Sequence, residues 1–297
     1  MTTRETHADV SIARWVDEAD DRRDREFRQA VHTILDAVAA IPETSEWIAL
    51  KGAILLALRY DFTRPTRDID FSTARRVQDV DVERLLSDLS QALPASAGRL
   101  PYGLACRIQS HEQRPASAAA SFPTLRIKVG YSRQLDSRRM RQLQGQSGST
   151  QIVTIDLSFN EPLLALDWLS IDAANPTIRA YSLVDFVAEK LRAMLQQPIR
   201  NRFRAQDALD LGYLLRSQPA LQTALTRLAV LTTLRAKSAE RQVPVRRDGL
   251  RDPEVRRRSE RDYAAFAAQL TGSPLPFDEV YDSVKDWYES LPWGRDG

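Results

Sequence analysis

Apolar and polar positions along this chain follow two periods. Up to about residue 160, short runs of period two are set between amphipathic helical stretches, and beyond that point the three-to-four spacing of helices takes over. Residues 12–40 are charged and helical, with Phe27, Ala30, Val31, Ile34, Leu35 and Val38 returning on one stripe before Pro42 closes the segment. The first part of this arm is expected to be mostly solvated. Trp47-Ile48-Ala49-Leu50 reads as a short apolar strand, Gly52 as a turn, residues 53–60 as a helix, and residues 68–73 as a second strand. Residues 80–93 have the repeat of a helix packed on a sheet, ended by a loop over 94–103. Strands are expected at 104–108 and 124–131, separated by a small, polar segment (110–121) with the composition of a mobile loop. The link 132–150 carries Arg133, Arg138, Arg139 and Arg141 and then Gly145 and Gly148, the pattern of a basic flap. Residues 151–159 alternate again, with Thr154, Asp156 and Ser158 on one face and Val153, Ile155 and Leu157 on the other. After Pro176 no clear strand is visible, and helices are expected over 183–195, 204–216, 221–231, 263–270 and 277–291. The organisation predicted is a helical arm (1–40), a mixed-sheet core (41–175) and a helical domain (176–297), with the boundary near 173–177.

Two acids stand out in this pattern. Asp68 and Asp70 lie two apart on the apolar strand Asp68-Ile69-Asp70-Phe71, so both occupy one face, about 6.7 Å apart along the chain, with Ile69 and Phe71 on the other. On a buried strand, uncompensated carboxylates cost several kcal/mol each, as an order of magnitude, so a cation or paired bases must answer them. A hard divalent ion with oxygen ligands, Mg2+ above all, is the natural cation, and held this way it would clamp a nucleotide phosphate. Asp156 interrupts another apolar strand and is a candidate third acid; a strand-end cap or a salt bridge with Arg126 is the competing role.

Composition narrows the classes. With 297 residues, 43% of them hydrophobic, the chain is long enough for one large or two moderate cored domains. Lys plus Arg total 42 against 40 Asp plus Glu, a net +2, so bulk charge does not point to nucleic acid and any such role must come from clustering. The basic residues are almost all arginine, which makes Lys51, Lys128 and Lys190 conspicuous. Cys106 is the single cysteine, so no intrachain disulfide forms, and His7, His32 and His111 have no metal-ligand spacing. The opening residues carry no apolar signal-peptide core and no run approaches the roughly 18 apolar residues of a membrane helix, so a cytoplasmic protein is expected.

Around the acids, Gly52 and Ala53 carry no bulk, and the helix that begins there offers free N–H groups to an anion. Lys51 reads equally as phosphate-facing or solvated. Arg64 and Thr66 share the alternation of Asp68 and are candidate nucleotide contacts. Lys128 shares a face with Arg126 on the 124–131 strand, the arrangement of two cations holding an anion or of an exposed face with extended basic side chains. Asp207 and Asp210 are neighbours on one helix face, where Asp207 either positions Lys190 or pairs with Arg204. The arginines between Arg241 and Arg261 suit an RNA backbone, whereas the interleaved Asp248, Asp252, Glu254, Glu260 and Asp262 suit a solvated helix.

The early glycine followed by a D-x-D strand resembles the nucleotidyltransferase superfamily. Lys51-Gly52-Ala53, Arg64-x-Thr66-x-Asp68-Ile69-Asp70-Phe71, Glu189-Lys190 and Arg204-x-Gln206-Asp207-x-x-Asp210-Leu211 together resemble the AbiEii/AbiGii toxin family, from about Leu50 to Leu215. Two positions depart from the family pattern: Ala53 stands where a second glycine or a serine is frequent, and Gln206 where a basic residue is frequent. The resemblance implies an α+β nucleotidyltransferase core followed by a helical domain, with the active site in the cleft between them. It implies Mg2+ on Asp68, Asp70 and Asp156, Asp156 also as base, Lys190 as a phosphate-binding lysine, and Lys51, Gly52, Ala53, Thr66, Lys128 and Asp207 about the nucleotide. It further implies transfer of a nucleoside monophosphate from an NTP to the 3' end of a tRNA by a growth-arresting toxin with a cognate antitoxin. A small-molecule nucleotidyltransferase and a catalytically inactive RNA-binding module of the same fold are the alternatives.

Overall fold

The computed structural model describes residues 7–116, 120–145, 148–172, 177–270 and 275–294. The N-terminal residues 1–6, parts of the 110–121 and 132–150 segments and most of the expected boundary at 173–177 lie outside the described residues. Backbone proximity divides the chain into two compact units, one of Met1–Asp61 with Thr66–Tyr181 and one of Phe62–Pro65 with Ser182–Gly297.

The first unit is built on an eight-stranded sheet of order β1-β7-β8-β2-β3-β6-β5-β4. Its strands are β1 His7–Val10, β2 Ala49–Lys51, β3 Asp68–Ser72, β4 Leu104–Arg114, β5 Thr124–Arg133, β6 Ile152–Ser158, β7 Leu166–Ile171 and β8 Thr177–Tyr181. Helices α1 (Ile12–Asp17), α2 (Arg22–Ala39), α3 (Pro42–Ser45), α4 (Gly52–Tyr60), α5 (Val82–Arg99) and α6 (Ser137–Gln144) join and flank them. Alternation decides the layering. Leu50, Ile69, Phe71, Leu125, Ile127, Val129, Ile155 and Leu157 are all fully or almost fully buried, on the face where α2 packs against β4, β6 and β8 and against α5. Each such side chain is worth ~1.5–3 kcal/mol of burial, so a one-residue slip in register would forfeit the core. The intervening residues, Asp68, Asp70, Thr154, Asp156, Arg126 and Lys128, are half-buried on the opposite face.

Several expectations change here. The first part of the N-terminal arm, though mostly exposed as expected, is also anchored: residues 7–10 form a strand paired in parallel with β7, and Ile12, Trp15 and Val16 of α1 are buried on α2 and α4 while Ala13, Arg14, Asp17 and Glu18 face solvent. β7 and β8 also went unseen in the sequence, and β8 places a strand after Pro176, where helices alone were expected. The division therefore falls after Tyr181. α5 continues through Pro94 to Arg99, because buried Leu93, Ser96 and Ala97 keep the last turns packed despite the lost backbone donor. The basic link contains α6, whose N-terminus is capped by the Asp136 side chain accepting from the Arg139 N–H, with Leu143 buried.

α2 also carries a buried histidine. His32 Nδ1 lies 2.8 Å from the Tyr102 hydroxyl and its Nε2 2.9 Å from Asp172 Oδ2. Burial holds its pKa below the ordinary histidine value, against the opposing pull of Asp172 and Asp36. A base depressed on folding contributes stability that is present above its unfolded pKa, near 6.5, and is lost as pH falls through the folded value. The melting temperature should therefore drop on acidification below about pH 6.5, and His32→Gln should flatten that part of the profile; an unchanged slope would place the titration elsewhere.

The second unit is helical: α7 (Leu183–Leu195), α8 (Gln197–Arg200), α9 (Ala205–Ser217), α10 (Ala224–Ala239), α11 (Pro253–Glu260), α12 (Tyr263–Ala267) and α13 (Phe277–Glu289). The four-residue segment Phe62–Pro65 packs into it, with Phe62 stacked on Tyr213 at 4.1 Å between ring centroids.

Candidate active site

Strand pairing assembles the acids. The parallel register of β3 on β6 sets Asp68 opposite Thr154 and Asp70 opposite Asp156. The antiparallel register of β5 on β6 adds Arg126 opposite Asp156 and Lys128 opposite Thr154, and β2 adds Lys51 opposite Asp70. Directly opposed residues share a sheet face, so two rows run across it, Lys51-Asp70-Asp156-Arg126 and Asp68-Thr154-Lys128. The three acids expected from the sequence are thus brought to one face of two adjacent strands.

Their electrostatics differ. The Asp68 carboxyl is held above the usual carboxylate range by burial and by the charge of Asp156, while the Thr154 hydroxyl it accepts from and Arg126 oppose the shift. Asp70 packs against the start of α4: Gly52 has φ +74°, and a Cβ there would stand 2.2 Å from Asp70 Oδ2. The positive end of that helix favours the carboxylate. Both carboxylate oxygens of Asp156 accept from the Arg126 guanidinium in a fork, Nε to Oδ1 at 2.8 Å and Nη2 to Oδ2 at 2.7 Å. The salt bridge foreseen for Asp156 is therefore present. Among the described residues no group of three or more His, Cys, Asp and Glu side chains is drawn together as a ready metal cage. A divalent ion nonetheless suits the donors: hard carboxylate oxygens, and negative charge in excess at Asp68, which burial and Asp156 bear upon. Asp68 and Asp70 would hold it, and Asp156 would join by yielding an oxygen from its fork.

Gly52 gives a direct prediction. Gly52→Ala adds a left-handed φ for an L side chain and a contact no carboxylate can tolerate, so it should cost ~1–3 kcal/mol of stability and, by displacing Asp70, about 10²-fold in transfer rate. Melting curves and initial rates check it.

The remaining candidates divide. Thr66 is committed to the strand entry, its hydroxyl 3.3 Å from the Asp68 backbone N–H. Ala53 is buried and offers backbone alone. Lys51 makes no side-chain cap to α4. Lys128 forms no ion pair among the described residues. In the helical unit, Lys190 Nζ lies 2.6 Å from Asp207 Oδ1 and 2.7 Å from Asp210 Oδ2. Asp210 is also gripped by Arg64, with Nε and Nη2 at 2.9 and 3.2 Å. Burial would lower the Lys190 pKa, but Asp207 and Asp210 raise it above the ordinary lysine value. The lysine is a member of a buried ion network, and Asp207 positions it while also lying 3.8 Å from Arg204. Sequence reasoning missed the Arg64–Asp210 pair, which no local spacing announces. The late arginines are largely answered by acids: Arg251 by Glu289, Arg256 by Asp278, and Arg257 and Arg258 by Glu254. The solvated-helix reading fits that segment better than an RNA track.

The fold is that of solved nucleotidyltransferases. A Helicobacter pylori nucleotidyltransferase superposes with a TM-score of 0.51 at 14% identity, covering 91% of this chain and 95% of that one. JHP933 from Helicobacter pylori gives 0.50 at 13% identity, covering 92% and 93%. MenT4, a nucleotidyltransferase toxin from Mycobacterium tuberculosis H37Rv, gives 0.50 at 14% identity, covering 93% and 87%. No curated protein matches in sequence. Among the described residues no helix is long and apolar enough to cross a membrane. The family model "Nucleotidyl transferase AbiEii toxin, Type IV TA system" matches residues 33–283, which takes in both acid strands, Gly52 and the Lys190 network. The chain belongs to the AbiEii nucleotidyltransferase toxin family, and it is a nucleotidyltransferase enzyme of the toxin type.

Proposed function

We propose that this toxin transfers a nucleoside monophosphate from an Mg2+-bound NTP to the 3' end of a tRNA in the cytoplasm, and that a cognate antitoxin restrains it. The observation that carries the reading is the pairing of Asp70 with Asp156 and of Asp68 with Thr154 on one sheet face, with Gly52 against Asp70. The hydroxyl oxygen of the acceptor bonds to the α-phosphorus as the bond to the β-phosphate bridging oxygen breaks, and pyrophosphate leaves. A bound Mg2+ supplies charge neutralisation at the phosphates and a fixed orientation for the leaving group. Asp68 and Asp70 would hold it through their carboxylate oxygens. Asp156 would take the proton of the attacking hydroxyl. Lys128 presents an ammonium beside the acids, suited to the triphosphate. Catalysis on this account is positioning and charge compensation.

An RNA acceptor is favoured by Arg138 and Arg141 of α6, which are exposed and form no ion pair among the described residues. The tRNA assignment rests on the family's toxin class. Incubation with each labelled NTP in turn and total RNA should label tRNA in an Mg2+-dependent manner. Label on a small molecule instead, or on nothing, would contradict the reading.

A further inference from the structure

We propose that Arg126 is a two-position residue of the transfer site, holding Asp156 until a metal-bound nucleotide arrives and then turning its guanidinium to the triphosphate. This deepens the proposed function and rests on it. Both oxygens of Asp156 accept from the fork, so a cation that approaches the third acid meets the guanidinium charge already seated there. The guanidinium faces more negative charge than Asp156 alone: Asp68 lies in the adjoining row, and Glu112 is opposite on β4. Asp156, Asp68 and Glu112 together raise the hold on its proton. Removing that positive charge would leave Asp68, Asp70 and Asp156 facing one another across strands about 4.8 Å apart. Arg126 thus neutralises the acids as a divalent ion does when it binds, and the two compete.

The same side chain suits the second position. A planar fork that matches a carboxylate also matches two phosphate oxygens, and it stays charged at every working pH. Arg126 is rooted on β5, between β6 and the edge strand β4, beside Lys128 two residues along the same face, so a side-chain rotation carries the fork from Asp156 over the acids. A bare cation must displace the arginine without giving it a new partner, whereas a metal-bound triphosphate supplies one. Arg126 therefore selects the complex over the bare ion.

Two ligands of the intact protein then respond with opposite signs. In Arg126→Met, affinity for Mn2+ alone, standing for Mg2+ and read from the free-ion EPR signal, should rise about fivefold or more, because its competitor is gone. Affinity for a non-hydrolysable NTP with Mg2+, read by calorimetry, should fall about tenfold or more. Arg126→Lys keeps the charge but not the fork, serves as the second variant should the methionine one fail to fold, and should retain weak Mn2+ binding while losing part of the nucleotide affinity. A purely structural role for the ion pair would weaken both ligands together. Any result other than opposite shifts overturns the proposal. If the wild type binds nucleotide with Mg2+ and the variants match it, Arg126 alone loses its role; if the wild type binds neither ligand, the proposed function falls as well.

Discussion

Asp68→Asn and Asp70→Asn should each lower nucleotide transfer by ~10³-fold or more, and Asp68→Asn should do so with the melting temperature unchanged or slightly raised. The size follows from the charge to be neutralised, because stabilising the transferring phosphate is worth several kcal/mol, of order 4, and each 1.4 or so is a factor of ten. The sign of the stability effect follows from the sheet. Asp68 is half-buried within reach of the Asp156 charge, and its carboxyl holds its proton more tightly than usual, so folding gains nothing from its ionisation. An amide of equal size removes that repulsion and can still accept from Thr154. Steady-state rates and thermal melts on the two variants check both halves, and a variant that keeps wild-type transfer would remove its residue from the metal site.

The second large effect is on stability. Asp210→Asn should cost ~3–5 kcal/mol, because it strips a fully buried carboxylate from between Arg64 and Lys190 and leaves two buried cations with Asp207 as their remaining acid. Melting temperature should fall by about 10 °C or more. The pH profile identifies the cause. Although burial alone would raise it, the Arg64 and Lys190 charges hold the Asp210 carboxyl below its ordinary value. Its contribution is therefore present above the unfolded carboxylate pKa, near 3.9, and is lost as pH falls through the folded value. Lys190, raised on folding, contributes below the unfolded lysine pKa, near 10.4, and loses that contribution as pH climbs through its folded value. The variant should lose the acid limb and keep a weakened alkaline one. A change below about 1 kcal/mol would mean that water screens the cluster.

Legibility in the sequence tracked how local each signal was. The D-x-D strand could be read because two acids at period two on an apolar run leave few assignments, and Gly52 because a turn needs its freedom. Asp156 was visible as a polar break in alternation, but its partnership with Asp70 is a parallel pairing between strands far apart in the chain, which no period encodes. The same distance hid the choice between metal ligand and Arg126 partner. β1, β7 and β8 went unread because His7, Asp9, Asp167, Ser170 and Arg179 interrupt their apolar pattern, and edge pairing rather than burial holds residues 7–10. Pro94 misled in the other direction, since packing of Leu93 and Ala97 outweighs one missing backbone bond. Lys190 was legible as a conspicuous lysine and not as a buried one, because Arg64 reaches Asp210 from far along the chain.

The most direct test of the central claim is calorimetric titration of a non-hydrolysable NTP into the wild type, Asp68→Asn and Asp70→Asn, each with and without Mg2+. Saturable binding by the wild type that requires Mg2+ and is lost in both variants is the predicted result. Nucleotide binding that ignores Mg2+, or that survives intact in both variants, would contradict it.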